Sequence, residues 1–503
     1  MKIGKSYYGI PNKYSSLKEY IEYLKEMAIQ LKTNVPKNTV KAILVPHAGL
    51  TYSGLGACQG YLSCKQSNKL SNFDTIVVLS TFHNSSQYNP GLYLPKFDKF
   101  HTPLGAIYND KLKIKELINK NSYCQYGTKE MFEQEHSVLF QLPLIQNIYG
   151  NNTKIIPILC GDIANQIRKD DNLMKILLQD NILVVCNTDL SHVNGRFVDR
   201  VSTSIQLLTK DNAIITNILD INSPVLKGSS CCGIYAIQVL KRFLIYSRTR
   251  LYPRIGCYYT SQIDVNSAGF KLSQLVNIES GFNPSNSSVS YLTLTYSSTP
   301  YISKRGDRKM KNLLTNYERM YLVMLAKKSI QTRLNRTMNE LGVSRYAIKS
   351  PAFELGRGIF VTLKRNNKLR GCIGTLSINK SILENVIHYA RQSAFNDSRF
   401  SPLRSLLDIN LTISVLADKR KITLNDYLHK NKYIPGNDGI ELAIIKNSIR
   451  RSGFFLPSVY LEQGWNKVQQ LEHLCTKAGL SDTKCYLGKN DTVELYYMEG
   501  FEF

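Results

Sequence analysis

The sequence lacks any apolar run long enough to cross a lipid bilayer. Its longest apolar runs, such as Ile182–Cys186, fall far short of the ~20 residues that a spanning helix needs. The first residues, MKIGKSYYGIPNKYSS, also lack the apolar core of a signal peptide. These absences predict a protein with no membrane span that is located in the cytoplasm, with the nucleus as a second expectation.

Cysteine is present but forms no recognisable framework. The 11 cysteines are scattered along 503 residues, with no CxxC pair and no His/Cys array of zinc-finger spacing. This pattern excludes a disulfide-rich secreted scaffold and predicts a reduced, intracellular protein.

Acidic residues are scarce relative to basic ones. The chain has 38 Asp and Glu against 64 Lys and Arg, which gives a net charge of +26. The excess is spread out, because 31 basic and 20 acidic residues precede position 301, and 33 and 18 follow. Such a balance permits nucleic acid, acidic membrane surfaces or anionic substrates as partners. It is equally compatible with a diffusely basic surface that binds none of them.

The composition is otherwise that of a folded protein with more than one domain. Hydrophobic residues make up 43% of the chain, and this length corresponds to about two to four domains. Over residues 1–300, short continuous apolar runs alternate with helical patterns, which is typical of a layered α/β sheet. The runs are Ile43–Val45, Ile76–Leu79, Ile155–Leu159 and Ile182–Cys186, a helix is predicted over 17–31, and Val289–Tyr296 is predicted as a last strand.

A polar, basic and proline-bearing stretch at 298–312 separates two regions of different pattern. We therefore predict a first domain over 1–300, a linker over 301–312, and a smaller α+β domain over 313–503. The second region is expected to contain helices near 313–333, 380–395 and 466–478, a hairpin of Ile359–Lys364 with Leu369–Ile373, and strands at Leu411–Leu416 and Leu442–Ile449.

Several histidines follow directly after the predicted strands of the first domain. His47 follows Ile43–Val45, His83 follows Ile76–Leu79, and Asp189 and His192 follow Ile182–Cys186. Ligands bind at the carboxyl ends of parallel strands, so these side chains are expected to share one site. Taken singly, a histidine near a strand end is more often a hydrogen-bonded structural residue. The arrival of histidines after three different strands favours a ligand-binding site.

Cys231, Cys232 and Gly233 precede a helix-like apolar segment, Ile234–Tyr246. A thiol at a helix N-terminus has a lowered pKa, and the thiolate is the form that binds metal. The alternative is that both cysteines are small, inert core residues.

Five ordered segments of the first domain resemble the Memo family: PHAGLTYSG, EHSVLFQLP, PILCGD, NTDLSH and CCG. That family is similar in fold to the extradiol ring-cleaving dioxygenases. The resemblance implies a two-His, one-Cys site for iron or copper with His47, His83 and Cys232 as ligands. It also implies an acid/base role for His192, an orienting or substrate-binding role for Asp189, and a pocket-lining role for His136.

A cysteine ligand alters the chemistry that the resemblance implies. Ring-cleaving enzymes use two His and one carboxylate, whereas a thiolate with two imidazoles favours soft or borderline ions. We therefore expect one Fe(II) or Cu(I) ion per chain and a metal-dependent, redox-active protein. Whether it is an enzyme, such as a non-haem oxidoreductase, is left open, because a dioxygenase fold does not imply dioxygenase activity.

The second domain resembles the AMMECR domain. The matching segments are LRGCIGTL, ARQSAFNDSRFSPL, ISVLADKRKI, FFLPSVYLEQGW and LCTKAGL. The resemblance implies a mixed α+β fold with no established activity, and a shared pathway with radical-SAM proteins as partners. Arg370, Cys372 and Arg391 are candidate ligand-binding residues, because arginines pair with anions. The alternative for Cys372 is a small buried strand residue.

Two further functions remain as alternatives. Memo-like proteins are associated with signalling through phosphotyrosine peptides, so the first domain is alternatively an interaction scaffold for phosphopeptide or protein partners. The second domain is alternatively a nucleic-acid-binding module. Its basic charge favours this only weakly, and phosphate contacts predict a steep loss of affinity with salt.

Overall fold

A computed structural model describes most of the chain. The described residues are 5–31, 40–67, 73–163, 166–168, 171–224, 231–247, 251–268, 270, 282–298, 313–344, 350, 352–417, 419–430, 432–446, 449–487 and 492–503. The predicted linker at 301–312 lies outside them. The chain divides into two compact units, the first of Met1–Tyr301 with Thr315–Met320 and the second of Ile302–Leu314 with Tyr321–Phe503.

The first unit is an α/β protein, as the sequence predicts. Its strands are β1 (Val40–Val45), β2 (Thr75–Thr81), β3 (Leu92–Pro95), β4 (Lys99–Thr102), β5 (Gly105–Tyr108), β6 (Cys124–Gly127), β7 (Lys154–Cys160), β8 (Ile182–Asn187), β9 (His192–Val193), β10 (Tyr252–Thr260) and β11 (Ser288–Ser297). Its helices are α1 (Leu17–Gln30), α2 (Leu50–Ser67), α3 (Lys111–Lys120), α4 (Lys129–Gln134), α5 (His136–Leu139), α6 (Leu142–Tyr149), α7 (Asn172–Leu177), α8 (Ser204–Leu219) and α9 (Ile234–Tyr246).

One large sheet organises this unit, with strand order β10-β11-β1-β8-β2-β7-β3-β6 and β9 paired to β11. At its centre β8 lies between β1 and β2 and is parallel to both, and β2 is parallel to β7. All seven residues of β2 and all six of β8 are buried, which explains why their sequences are continuous apolar runs.

Helix α2 packs closely against this sheet. A side chain at Gly60 would place a carbon 2.6 Å from Val45 Cγ1, so only glycine permits this approach. The predicted helix over 17–31 is confirmed as α1, whose N-terminus is capped by the Ser16 side chain and whose buried face includes Ile21 and Leu24.

The second unit is α+β and antiparallel. Its strands are β12 (Gly358–Arg365), β13 (Lys368–Thr375), β14 (Ile409–Leu416), β15 (Arg420–Ile422), β16 (Asp438–Lys446), β17 (Ile449–Phe455) and β18 (Thr492–Glu502). Its helices are α10 (Asn316–Leu334), α11 (Glu340–Ser344), α12 (Ile382–Phe395), α13 (Leu424–His429), α14 (Pro457–Gln463) and α15 (Lys467–Lys477).

The sheet of this unit has the order β13-β12-β14-β18-β16-β17, with β15 paired to β18. The predicted hairpin is β12–β13, and Asn366 and Asn367 turn it with φ of 50° and 60°. The predicted strand at Leu442–Ile449 is confirmed up to Lys446, where β16 ends, but its predicted end is wrong, because Ile449 begins β17, the antiparallel partner of β16.

One expectation about cysteine also requires correction. Cys475 on α15 forms a disulfide with Cys485. The other nine cysteines carry free thiols. Within the described residues, no helix is both long enough and apolar enough to cross a membrane.

Candidate metal centre

The topology brings three of the predicted positions to one edge of the sheet. β1, β8 and β2 are adjacent and parallel, so their carboxyl ends lie side by side. His47 follows β1, His83 follows β2, and Asp189 follows β8, whose last residue is Asn187. Of the residues expected to converge, His47, His83 and Asp189 belong to the donor sets described below.

His47 is held on both sides of its ring. It is only 1% exposed, its Nδ1 lies 2.9 Å from Asn187 Oδ1, and its backbone N–H donates to Asp189 Oδ1 at 2.9 Å. Its Nε2 lies 3.2 Å from the Cys232 Sγ. The polar contact at Nδ1 leaves Nε2 to face the thiol.

Glu135 orients the second histidine. Its Oε1 lies 2.9 Å from His83 Nδ1, and its Oε2 accepts the His83 backbone N–H at 2.9 Å. The His136 ring stacks on that of His83, with ring centroids 4.5 Å apart. The carboxylate thus occupies Nδ1 of His83 and leaves Nε2 available to a ligand.

Cys232 lies just before the start of α9. Its Sγ accepts the Asp189 backbone N–H at 3.3 Å, whereas Cys231 lies against the Thr188 hydroxyl at 3.1 Å. Gly233 makes this approach feasible, because a Cβ there would lie 2.4 Å from the Thr188 side chain. Of the two cysteines, Cys232 is therefore the one that contacts His47.

The electrostatics favour a thiolate beside charged imidazole. Burial raises the pKa of the Cys232 thiol, but the charge of His47 and hydrogen bonds from His47 and His83 lower it more, and the net change is downward. Burial alone would lower the pKa of His47, but the negative charges of Cys232 and Asp189 raise it. The thiolate is the form of cysteine that coordinates metal.

The charges of the site also shift the pKa values of Glu135 and His136. Burial opposes ionisation of Glu135, but the hydrogen bond and charge of His83 lower its pKa to about 2. Burial and the charges of His47 and His83 lower the pKa of His136 to about 4, so its imidazole is neutral at pH 7.

Two overlapping sets of donor atoms lie close enough to hold an ion. One is His47, His83 and His136, and the other is His47, Asp189 and Cys232, with the atoms of each set within 4.8 Å of one another. His47 belongs to both sets, and the hydrogen bond between His83 and Cys232 joins them. Imidazole nitrogens with one thiolate suit soft or borderline metal ions.

His192 lies on β9. It begins this strand, which pairs with β11, its Nδ1 lies 3.0 Å from the Leu190 carbonyl oxygen, and its ring packs edge-on against Phe197. Among the described residues, neither donor set includes His192.

Three residues that complete the site were not predicted from sequence. Glu135 orients His83, Asn187 orients His47, and Thr188 accepts the Gly233 backbone N–H at 2.9 Å. Glu135 directly precedes His136, and Asn187 and Thr188 directly precede Asp189. Their position next to a candidate residue is the sequence signal that could have identified these three residues.

The structure separates the three candidate residues of the second unit. Cys372 lines a large groove, and its backbone N–H donates to Asp397 Oδ2 at 2.8 Å. Arg391 is buried and donates to Ser329 Oγ at 2.9 Å and to the Met338 carbonyl at 2.8 Å. Arg370 donates to the Ser401 carbonyl.

Fold and site together define an α/β protein with a His/Cys candidate metal centre, joined in one chain to an α+β unit. Residues 4–240 match the family model of Memo-like proteins, and residues 323–501 match that of AMMECR1. The chain is therefore a fusion of a Memo-like domain with an AMMECR1 domain.

Curated relatives and a solved structure match parts of the chain. A protein of Methanopyrus kandleri is 36% identical over 178 residues, which is 34% of this chain and 82% of the relative. A MEMO1 family protein of Desulfurococcus amylolyticus is 29% identical over 256 residues, covering 47% of this chain and 84% of that protein. The crystal structure of an uncharacterized protein from Pyrococcus horikoshii is 29% identical, covers 36% of this chain and 88% of that one, and has a TM-score of 0.31.

Proposed function

We propose that the Memo-like domain binds one Fe(II) or Cu(I) ion through His47, His83 and Cys232 and that it supports redox chemistry. The observation that carries this proposal is the 3.2 Å approach of Cys232 Sγ to His47 Nε2 at the meeting point of three strand ends. A partly buried thiolate with two oriented imidazoles is a soft donor set. A bound ion of this kind supplies Lewis acidity and one-electron chemistry.

The protein residues around the centre have separable roles in this proposal. Glu135 and Asn187 contact the Nδ1 atoms of the two histidines, which fixes the ring orientations and leaves each Nε2 to bind the ion. Asp189 orients the His47 backbone by accepting its N–H. His136, neutral and stacked on His83, lines the pocket, and the acid/base role of His192 stays a prediction.

Metal content is the direct test of the ligand assignment. We expect about one iron or copper per chain in the anaerobically purified protein, and loss of that metal in His47→Ala, His83→Ala and Cys232→Ser, because each removes a ligand. His101→Ala is a matched control, since this histidine lies on β4 outside both donor sets. Stoichiometric metal in the His47→Ala protein would show that the assignment is wrong.

Cobalt substitution tests the thiolate separately. A Co(II)-loaded protein should show a sulfur-to-metal charge-transfer band that is lost in Cys232→Ser and kept in Cys231→Ser, because only Cys232 contacts His47. Phosphopeptide binding that survives loss of both His47 and Cys232, with no metal in the wild type, would favour the scaffold function instead.

A further inference from the structure

The AMMECR1 unit contains a groove that the metal centre does not involve. Its volume is about 1590 Å³, and its lining comes from β12, β13, β17 and α14 with the end of α15. This is larger than the 300–1,000 Å³ of a typical small-molecule pocket, so it can take a ligand of that class with room for solvent.

Aromatic side chains form one part of the lining. Phe360 and Phe454 stack with ring centroids 5.4 Å apart and an interplanar angle of 27°. Phe455 and Trp465 lie 5.2 Å apart. All four line the groove, and all but Phe455 are partly exposed. Trp465 packs against the core, as expected from sequence, and its ring stacks on that of His473 with centroids 4.2 Å apart. It is nevertheless partly exposed and lines the groove, and such aromatic surfaces favour flat rings.

Most charges in the groove neutralise one another. Salt bridges join Arg399 to Asp397 at 2.8 Å, Lys364 to Glu462 at 3.1 Å, and both Lys419 (3.2 Å) and Arg450 (3.1 Å) to Glu441. Among the described residues, no carboxylate lies within 4.0 Å of the Lys477 ammonium, which sits 4.4 Å from the centroid of the Phe455 ring. Lys477 therefore supplies an unneutralised positive charge beside the aromatic surface.

Arg399 adds donors next to that charge. Its Nε and Nη2 are held by Asp397, and Nη2 also donates to the Cys372 carbonyl at 3.1 Å. Within the described part of the chain its Nη1 has no hydrogen-bond partner, and its side chain is 54% exposed. The guanidinium is thus fixed in orientation, while the two N–H groups of Nη1 have no acceptor among the described residues.

Cys372 lies in the same corner but is not set up as a nucleophile. The Thr362 hydroxyl donates to its Sγ at 3.3 Å. Burial raises the pKa of this thiol above its ordinary value, so it is protonated at pH 7 and unreactive by comparison with a thiolate. The corner is suited to binding rather than to covalent chemistry.

We propose that this groove binds a small aromatic anion, with its ring against Phe360, Phe454 and Trp465 and its carboxylate or phosphate at Lys477 and Arg399. The proposal is independent of the metal centre in the other unit. A neutral ring would lack the charge interaction, and an anion without a ring would lack the aromatic contact, so both parts are needed for affinity.

The single tryptophan of the chain makes the test direct, because Trp465 is the only Trp and it lines the groove. In the full-length protein, phenyl phosphate or benzoate should change the Trp465 fluorescence saturably, and phenol should bind about tenfold more weakly. Comparing phenyl phosphate with benzoate then decides whether phosphate or carboxylate is the preferred anion.

Variants locate the site. Lys477→Gln should weaken binding of the preferred anion by about tenfold while leaving phenol binding unchanged. Phe360→Ala should weaken all three probes, and equilibrium dialysis should give one site per chain. Lys484→Gln removes the same charge from an exposed position outside the groove and should bind as the wild type does. Circular dichroism of each variant checks that it is folded.

Three results would overturn the proposal. They are the absence of saturable binding of both anions to the wild type, equal affinity for phenol and the anions, and unchanged anion affinity in folded Lys477→Gln.

Discussion

At the scale of single residues, Glu135 determines the orientation of His83 in the candidate metal centre. It contacts His83 twice, through the ring Nδ1 and through the backbone N–H, both at 2.9 Å. It is buried, and the charge of His83 keeps its pKa near 2, so it is ionised at every physiological pH. A metal-ligating histidine commonly depends on such a partner for its orientation and basicity.

Replacing Glu135 by Gln should therefore weaken metal affinity about 10–100-fold without removing a ligand. Competition with a chelator of known affinity measures the change. Glu133→Gln is the matched control, because Glu133 is exposed and pairs with Lys129 rather than with a histidine. Equal affinity in the Glu135→Gln and wild-type proteins would mean that His83 is not held by this carboxylate when metal is bound.

At the scale of elements, α15 is joined covalently to the segment that follows it. The disulfide between Cys475 and Cys485 closes a short loop with a sequence separation of 10 residues. Helix α15 also packs on β17 and carries Lys477, so the bridge lies close in sequence to the proposed anion corner. A loop of this length restricts the unfolded chain and stabilises the folded unit.

Cys485→Ser should lower the free energy of unfolding of the second unit by about 2–3 kcal/mol. Urea titrations with and without reductant measure this. Reductant should lower the denaturation midpoint of the wild type and leave that of Cys485→Ser unchanged. Cys372→Ser is a suitable control, because Cys372 is not part of the bridge. A wild-type midpoint that does not respond to reductant would contradict the expectation.

At the scale of the whole molecule, two compact units of different architecture carry two different candidate sites. The metal donors all belong to the first unit, and the lining of the groove belongs to the second. A ligand that binds only the folded state stabilises the unit to which it binds, by an amount set by its concentration relative to Kd.

Scanning calorimetry should therefore resolve two unfolding transitions that respond to different ligands. Metal at about 100 times its Kd should stabilise one transition by about 2.7 kcal/mol, and phenyl phosphate should shift the other. The Cys485→Ser variant assigns the second transition to the AMMECR1 unit. One transition moved by both ligands would mean that the two units unfold together.

Much of the architecture could be predicted from sequence because burial leaves a local signature. The continuous apolar runs in β1, β2, β7 and β8 and the 3.6-residue period of α1 follow from which faces are covered. The predicted fold class and the two-domain fusion, the latter implied by the family resemblance, are confirmed by the family models that the two regions match. The boundary between β16 and β17 was missed, although Asn447 and Ser448 in the sequence between them are turn-favouring residues.

By itself, the sequence determined the α/β and α+β classes and the order of His47, His83 and Cys232 along the chain. Only the tertiary structure decided which of Cys231 and Cys232 contacts His47, and that Glu135 and Asn187 hold the two histidines. It also placed Lys477 and Arg399 in one groove and buried Arg391 elsewhere. The physical reason is that periodicity and turn residues record local burial, whereas donor geometry depends on strand order and on contacts between residues far apart in the chain.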